Sequence, residues 1–304
     1  MHEAGALTCQ QCGAELVFDD VLTAICPFCT CPSFVERPPA PGRPTPLFAL
    51  TFSGDATAAH RRLQGWLGKR RLFADPALRT ARVEDIRGVY LPVYLYSAVA
   101  RTSYTAVIAE KYEDTRTVRV PDPLGPHIPP RIEEHPVTRT EYRPLAGHHV
   151  GYVTDVLVSA SKALDDAALA RCGRFDLRPL RRFTPALVTG WTHEEFACAP
   201  DDCRRRSRAA ALERVERELR GFMPGDGVSK LESDTRIEWE SLDPMLVPVW
   251  VFAVRYREDR APMRVVINGQ TGRIGGTLPV AWWKVALAIV LALAAIAILI
   301  GAQR

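Results

Sequence analysis

Two pairs of cysteines near the start of the chain constrain its fold more than any other feature. Cys9 and Cys12 form one Cys-x-x-Cys pair, Cys26 and Cys29 form the other, and thirteen residues separate the pairs. Two such turns can present four thiolates to one tetrahedral zinc ion. The apolar residues between the pairs predict two short strands, so we expect a zinc ribbon over residues 1–36.

The fourth zinc ligand has an alternative in the sequence, because Cys31 follows Cys29 by two residues. Cys29 keeps the two-residue spacing and is the predicted ligand. Four thiolates leave no open position on the metal, so the zinc is expected to be structural and not catalytic. The first residues lack the pattern of a signal peptide, which favours reduced, metal-binding thiols over disulfides.

An unbroken run of sixteen apolar residues, 285–300, stands near the other end of the chain. A helix that spans a bilayer needs about 20 mainly apolar residues, and the flanking residues extend the predicted span to 281–301. Trp282 and Trp283 suit the membrane interface, and Lys284 can extend its amine to the headgroups. We therefore predict a single-pass membrane protein with its body in the cytoplasm. A buried core helix is the alternative.

A proline-rich segment, residues 37–47, follows the ribbon and predicts a stiff arm between the ribbon and the body. Prolines also recur over residues 121–144, where we expect an irregular excursion.

The body has the pattern of a duplication. The same offset of 156 residues separates Leu63 from Leu219, on predicted helices, and Pro92 from Pro248, on predicted strands. We expect two α+β repeats, 48–160 and 161–279, each with a helix followed by antiparallel strands. In the second repeat, residues 249–256 and 263–267 predict a β-hairpin. The apolar helix stripes that carry this prediction are Ala56, Ala59, Leu63 and Trp66 in the first repeat, and Leu212, Val215, Leu219 and Phe222 in the second.

The predicted fold class is therefore α+β, with an N-terminal zinc ribbon, a duplicated body of helix and antiparallel sheet, and a single C-terminal transmembrane helix.

Basic residues on the two predicted helices are candidate contacts for a partner, anionic lipid or nucleic acid. They are Arg61, Arg62, Lys69, Arg70, Arg71, Arg204, Arg205, Arg206 and Arg208. The formal net charge of +4 is too weak to indicate nucleic acid by itself.

No nucleophile, base and anion-binding group are placed together by the sequence, so we expect neither an enzyme nor a small-molecule substrate. Catalysis would have to use the histidine-rich region that contains His148 and His149.

Four segments resemble a bacterial family of membrane-anchored zinc-ribbon proteins, in this order: 88–94, 153–161, 247–252 and 268–279. The most specific of them contains Asn-Gly-Gln-Thr-Gly at 268–272, and the resemblance extends from Cys9 to the apolar run. Family members are often labelled as a primosomal replication factor or superfamily II helicase. This sequence has no Gly-x-x-x-x-Gly-Lys-Ser/Thr phosphate loop and no room for a helicase core.

Some similar proteins recruit phage-shock-type envelope-stress proteins to the membrane. The resemblance therefore implies a tail-anchored adaptor or scaffold of the bacterial inner membrane whose zinc ribbon docks a cytosolic protein, in envelope stress or membrane maintenance. A membrane-tethered nucleic-acid-binding protein is the alternative.

Overall fold

The structure is a computed structural model that describes residues 6–17, 26–29, 34–37, 43–69, 73–120, 131–188 and 190–302. The described residues form four α-helices: α1 Ala56–Leu67, α2 Asp166–Arg171, α3 Pro200–Phe222 and α4 Trp282–Ala302. They also form eleven strands: β1 Ala6–Cys9, β2 Glu15–Val17, β3 Phe34–Arg37, β4 Phe48–Ala49, β5 Arg82–Val120, β6 Arg131–Ser159, β7 Arg181–Arg182, β8 Thr192–Glu194, β9 Gly227–Arg255, β10 Met263–Asn268 and β11 Ile274–Gly275.

Helix α1 begins where Asp55 caps it, because the Asp55 carboxylate accepts a hydrogen bond of 2.7 Å from the backbone N–H of Ala58. Ala59, Leu63 and Trp66 are buried along one face of the helix, which confirms the predicted apolar stripe. They pack with apolar side chains of β9 and β10 in one core cluster.

Helix α3 buries a face that overlaps the predicted one only in part. Val215 and Leu219 are buried as expected, but Leu212 and Phe222 are exposed. Residues at intervals of four share the buried face: Cys203, Ser207, Ala211, Val215 and Leu219. Three of these residues are small or polar. A stripe predicted from large apolar residues alone therefore missed them.

The strands form one large mixed sheet, which corrects the predicted fold class of two successive units of helix and antiparallel sheet. The strand order is β11-β10-β9-β5-β8-β2-β1-β3, with β6 paired to β5. Strand β5 pairs with β8 in parallel, and β4 pairs with β9 in parallel. The sequence pattern located strands, but pairing joins residues far apart in the chain, and local periodicity does not encode it.

Some local predictions are confirmed and one is wrong. The hairpin of β9 and β10 is antiparallel, with Met263 opposite Val254 and Asn268 opposite Val249. The expected irregular excursion is a strand over 131–144, because β6 begins at Arg131. Residues 121–130 lie outside the described residues.

Two compact units divide the chain. Unit 1 contains residues 1–95, 157–204 and 242–304, and unit 2 contains residues 96–156 and 205–241. Unit 1 contains the cysteine pairs and the largest core cluster.

The C-terminal element corrects the predicted transmembrane helix. Helix α4 covers the apolar run, but that run is sixteen residues long, against the roughly 20 that a bilayer requires. Nowhere in the described chain does a helix reach the length and apolar character of a membrane span. The predicted span 281–301 is therefore wrong as part of the fold, and α4 is an apolar helix whose described side chains are mostly exposed.

Candidate metal centre

The four predicted cysteine ligands come together in unit 1. The Sγ atoms of Cys9, Cys12, Cys26 and Cys29 all lie within 4.8 Å of one another. Cys9 and Cys29 approach to 3.5 Å, and so do Cys12 and Cys26. A tetrahedral ion with metal–sulfur bonds of about 2.3 Å holds its thiolates slightly less than 4 Å apart. The cluster can therefore hold a metal ion of this kind, and Cys31 lies outside the described residues.

Backbone hydrogen bonds shape the first turn of the site. The Cys9 N–H donates to the Ala14 carbonyl at 2.8 Å, and the Gly13 N–H donates to the Cys9 carbonyl at 2.9 Å. Gly13 has a φ of 72°, a conformation that a residue without Cβ adopts at little cost. Glycine after Cys12 therefore lets β1 turn tightly into β2 while both thiols face the same point.

The short distance between the Cys12 and Cys26 sulfurs changes the pKa of both thiols, in opposite directions. The hydrogen bond from Cys26 lowers the pKa of the Cys12 thiol to about 5. The same interaction raises the pKa of the Cys26 thiol above its usual range, because the pair keeps one proton between two sulfurs. A metal cation replaces that proton and stabilises every thiolate, so metal binding is coupled to proton release.

The ribbon is joined to the rest of unit 1, which corrects the expected arm that separates them. Strand β2 pairs with β8, with Leu16 opposite Glu194 and Val17 opposite His193. Leu16 and Phe28 are buried in the same core cluster as Leu50 of the body. A metal ion held by the cysteines would therefore stabilise part of the main core.

Charged residues surround the joint between the ribbon and the body. Glu15, which is buried, accepts a hydrogen bond of 2.9 Å from the Lys162 amine and another from the Arg43 guanidinium. Arg43 also bonds Glu195. A buried carboxylate needs such partners, because leaving it unpaired costs several kcal/mol. The cysteine spacing gave no signal for this network.

Glu194 is a second buried acid at the same joint. Its Oε1 accepts a hydrogen bond of 2.8 Å from the Ser161 hydroxyl, and its Oε2 is buried without a hydrogen-bond partner among the residues that the structure describes. Burial, together with the charges of Cys12 and Glu15, raises the pKa of the Glu194 carboxyl to about 8, although hydrogen bonds from Ser161 and the Ala163 backbone oppose the rise. Glu194 is therefore mostly protonated at neutral pH.

The predicted basic contact residues are divided between the two units and several have intramolecular partners. In unit 1, Arg62 donates to the Thr271 carbonyl at 2.9 Å, while Arg61 and Lys69 are exposed. In unit 2, Arg208 pairs with Glu240. Arg204, Arg205 and Arg206 lie in the first turns of α3, and Arg70 and Arg71 lie outside the described residues.

The other predicted positions have simpler environments. Trp282 and Trp283 are exposed, and the Lys284 amine donates to the Ala74 carbonyl at 2.9 Å. His148 and His149 lie on strand β6 and not in a loop. Contact with nucleic acid and the absence of enzymatic activity stay predictions.

The Asn-Gly-Gln-Thr-Gly segment forms a structural turn that ties distant parts of unit 1 together. The Asn268 carboxamide oxygen accepts hydrogen bonds from the backbone N–H groups of Gln270 and Thr271, at 3.0 and 2.9 Å. The Gln270 side chain accepts from the Asp176 N–H at 2.7 Å and donates to the Asp176 carbonyl at 2.8 Å. The polar side chains of this segment therefore have hydrogen-bond partners within the protein, which gives them a structural role.

Comparison with known proteins gives one informative similarity. The chain is similar to the uncharacterized protein YdjG of Bacillus subtilis (strain 168), with 22% identity over 250 residues. The similar region covers 81% of this chain and 67% of YdjG. No family model and no solved structure matches the chain.

Proposed function

We propose that the chain is an adaptor protein with a structural zinc ion and an exposed apolar helix that binds a partner surface. The observation that carries the proposal is the exposure of α4. Eight large apolar side chains of this helix are between 51% and 76% exposed: Trp282, Trp283, Leu287, Ile289, Val290, Leu291, Leu293 and Ile296. Contiguous apolar surface of this kind marks an interaction site, because leaving it in water is costly.

Zinc is the proposed metal because four thiolates with tetrahedral spacing prefer it. Cys9, Cys12, Cys26 and Cys29 would hold the ion and occupy all its positions. The ion would then fix the ribbon to β8 and supply no catalytic water.

The ribbon offers a second contact surface at the end of the sheet. Strand β3 is last in the strand order, after β1. An edge strand has backbone N–H and C=O groups that can pair with a strand of another protein. This geometry supports the docking of a cytosolic protein on the ribbon, while the inner-membrane location and the envelope-stress pathway stay predictions.

The test is to isolate the tagged full-length chain from bacterial cells after crosslinking, with the particulate and soluble fractions analysed separately. Three variants accompany it: Leu287→Asp with Leu291→Asp on α4, Cys9→Ser with Cys12→Ser in the ribbon, and Leu47→Asp as a control. Leu47 is an exposed apolar residue of unit 1 outside both surfaces.

We expect one defined protein to co-purify with the wild-type chain and with Leu47→Asp. The ribbon variant should lose that protein, and the α4 variant should lose either the protein or its place in the particulate fraction. The wild-type chain in the particulate fraction indicates that lipid covers α4. The wild-type chain in the soluble fraction indicates that a protein covers it. If all four forms recover the same molecules in the same fractions, neither surface binds a partner and the proposal fails. Recovery of nucleic acid in place of a protein would favour the alternative function.

A further inference from the structure

A cleft of about 360 Å³ lies in unit 1 beside α2, β10 and β11. Its volume is within the range of about 300–1,000 Å³ that small-molecule sites occupy. The polar side chains that line it are Lys162, Asp165, Arg171, Arg264 and Thr277.

The cleft carries an excess of positive charge. Lys162, Arg171 and Arg264 contribute three cations, against the single acid Asp165. The Asp165 carboxylate is already used to cap α2, because it accepts a hydrogen bond of 2.7 Å from the Ala168 N–H. The Lys162 amine is itself paired with Glu15 at 2.9 Å, so the two arginines carry the excess positive charge that an entering anion meets.

Arg264 is held in place before any ligand binds. Its Nη1 donates to the Ala163 carbonyl, and its Cζ lies 5.8 Å from the centre of the Phe28 ring. The residue is half-buried. A guanidinium has five N–H donors in a rigid plane, so donors remain for a ligand after the bond to Ala163.

Arg171 and Lys162 complete the positive lining, and both side chains are more exposed than that of Arg264. Arg171 is exposed at the end of α2 and has no ion pair with any residue in the described ranges. The Lys162 amine contacts Glu15 at 2.9 Å and is also exposed at the rim. One fixed and one exposed guanidinium are a suitable pair for an anion that accepts several hydrogen bonds.

We propose that this cleft binds a phosphate group, with Arg264 and Arg171 as its hydrogen-bond donors and Lys162 as a further cation. A phosphate monoester has three free oxygens that can accept hydrogen bonds from two guanidiniums at once. A carboxylate has only two oxygens and is a poorer match for such a pair. The phosphate can belong to a soluble phosphorylated molecule or to a lipid headgroup. The proposal stands on the cleft alone and is independent of the adaptor role.

The first measurement is a calorimetric titration of the zinc-loaded full chain with inorganic phosphate and with glycerol 3-phosphate at low ionic strength. Arg171→Gln and Arg264→Gln are the test variants. Arg178→Gln is the matched control, because Arg178 is an exposed arginine of unit 1 outside the cleft. We expect binding to weaken at least about tenfold in each test variant, as for the loss of one charge-assisted hydrogen bond, and to stay unchanged in the control.

The second measurement separates the two sources of phosphate. Co-sedimentation compares vesicles that contain phosphatidic acid, whose headgroup is a phosphate monoester, with neutral phosphatidylcholine vesicles, so that binding through α4 is common to both. A preference for phosphatidic acid that Arg171→Gln removes identifies a headgroup, and binding of the soluble phosphates alone identifies a soluble ligand.

Equal binding by Arg171→Gln, Arg178→Gln and the wild-type chain would overturn the proposal, because the attraction would then be general surface charge. Failure of every phosphate probe to bind the wild-type chain would also overturn it. Arg171→Gln removes no described ion pair, so its result stays interpretable even if Arg264→Gln unfolds.

Discussion

The chemistry of single residues at the metal centre follows from distances that only the folded chain creates. Cys12 and Cys26 are fourteen positions apart in sequence, and their sulfurs lie 3.5 Å apart in the structure. The spacing of each Cys-x-x-Cys pair predicted which residues would meet. The buried acids Glu15 and Glu194 beside them were not predicted, since a glutamate in a short strand usually faces solvent.

We predict that Cys29, and not Cys31, completes the metal site. Cys29→Ser should lower the zinc content from about one ion per chain to near zero, because a tetrahedral structural site needs four ligands. Cys31→Ser should keep its zinc. Metal analysis of the purified proteins measures this, with Cys198→Ser as a control outside the cluster. The reverse pattern would assign the fourth ligand to Cys31.

A second prediction at this scale concerns Glu194, whose pKa burial raises to about 8. The unfolded chain releases this proton near the ordinary pKa of about 4.3, and the folded chain keeps it until pH 8. The free energy of unfolding should therefore fall as pH rises between these values. Glu194→Gln, which stays neutral, should flatten this part of the profile and raise the melting temperature at pH 8.

Chemical denaturation from pH 5 to pH 9 measures that profile. Glu232→Gln is the control, because Glu232 is exposed in unit 2 and its substitution leaves the buried Glu194 carboxyl in place. If Glu194→Gln and the wild-type chain keep the same slope, Glu194 is not protonated in the folded state.

Among the elements, helix α1 and helix α3 show what periodicity predicts well and where it fails. The α1 stripe was correct because all its buried members but one are large or aromatic. The α3 stripe was rotated because small and polar residues such as Ser207 and Ala211 are buried there. Local hydrophobicity does not reveal that a small residue is buried where another element approaches closely.

The burial difference on α3 gives a direct test. Leu219 is 0% exposed, so Leu219→Ala should lower the free energy of unfolding by about 2–5 kcal/mol. Phe222 is 59% exposed, and Phe222→Ala should cost less than about 1 kcal/mol. Urea denaturation of both variants measures the contrast. Equal costs would restore the stripe predicted from the sequence.

Substitution of two glycines by alanine should change the stability of the protein in opposite directions. A Cβ at Gly269 would lie 2.7 Å from the Phe52 ring and 2.8 Å from the Pro248 carbonyl oxygen, so Gly269→Ala should destabilise by about 1–3 kcal/mol. A Cβ at Gly65 on α1 would meet nothing within 4 Å. Gly65→Ala should therefore stabilise by about 0.5–1 kcal/mol, because alanine favours a helix. Thermal denaturation measures both, and a shift of the same sign would contradict the packing of the turn.

At the scale of the whole molecule, the ribbon and the body share a sheet and a core. Loss of the metal should therefore lower the stability of the body as well as that of the ribbon. A ribbon on a stiff arm would unfold alone when zinc is removed. Because β2 pairs with β8 and Phe28 packs in the main cluster, chelation should also lower the melting temperature of unit 1.

Near-ultraviolet circular dichroism can follow that transition, since Trp191 stacks on Phe52 and Trp250 packs against the same ring at a tilt inside unit 1. We expect the tryptophan signal of the wild-type chain to melt at a lower temperature after chelation. Cys9→Ser with Cys12→Ser should melt at that lower temperature with or without chelator. An unchanged tryptophan transition would show that the ribbon unfolds independently.

The sequence by itself determined which four cysteines come together, the apolar character of the C-terminal helix, the α1 stripe and the hairpin of β9 and β10. Each of these depends on residues close together in the chain or on a metal with strict ligand spacing. Only the tertiary structure decided that the strands join one mixed sheet, that the ribbon packs into the core, and that Arg264 and Arg171 line one cleft. These features join residues far apart in the chain, such as Leu16 and Glu194, and their pairing depends on packing that no local pattern encodes.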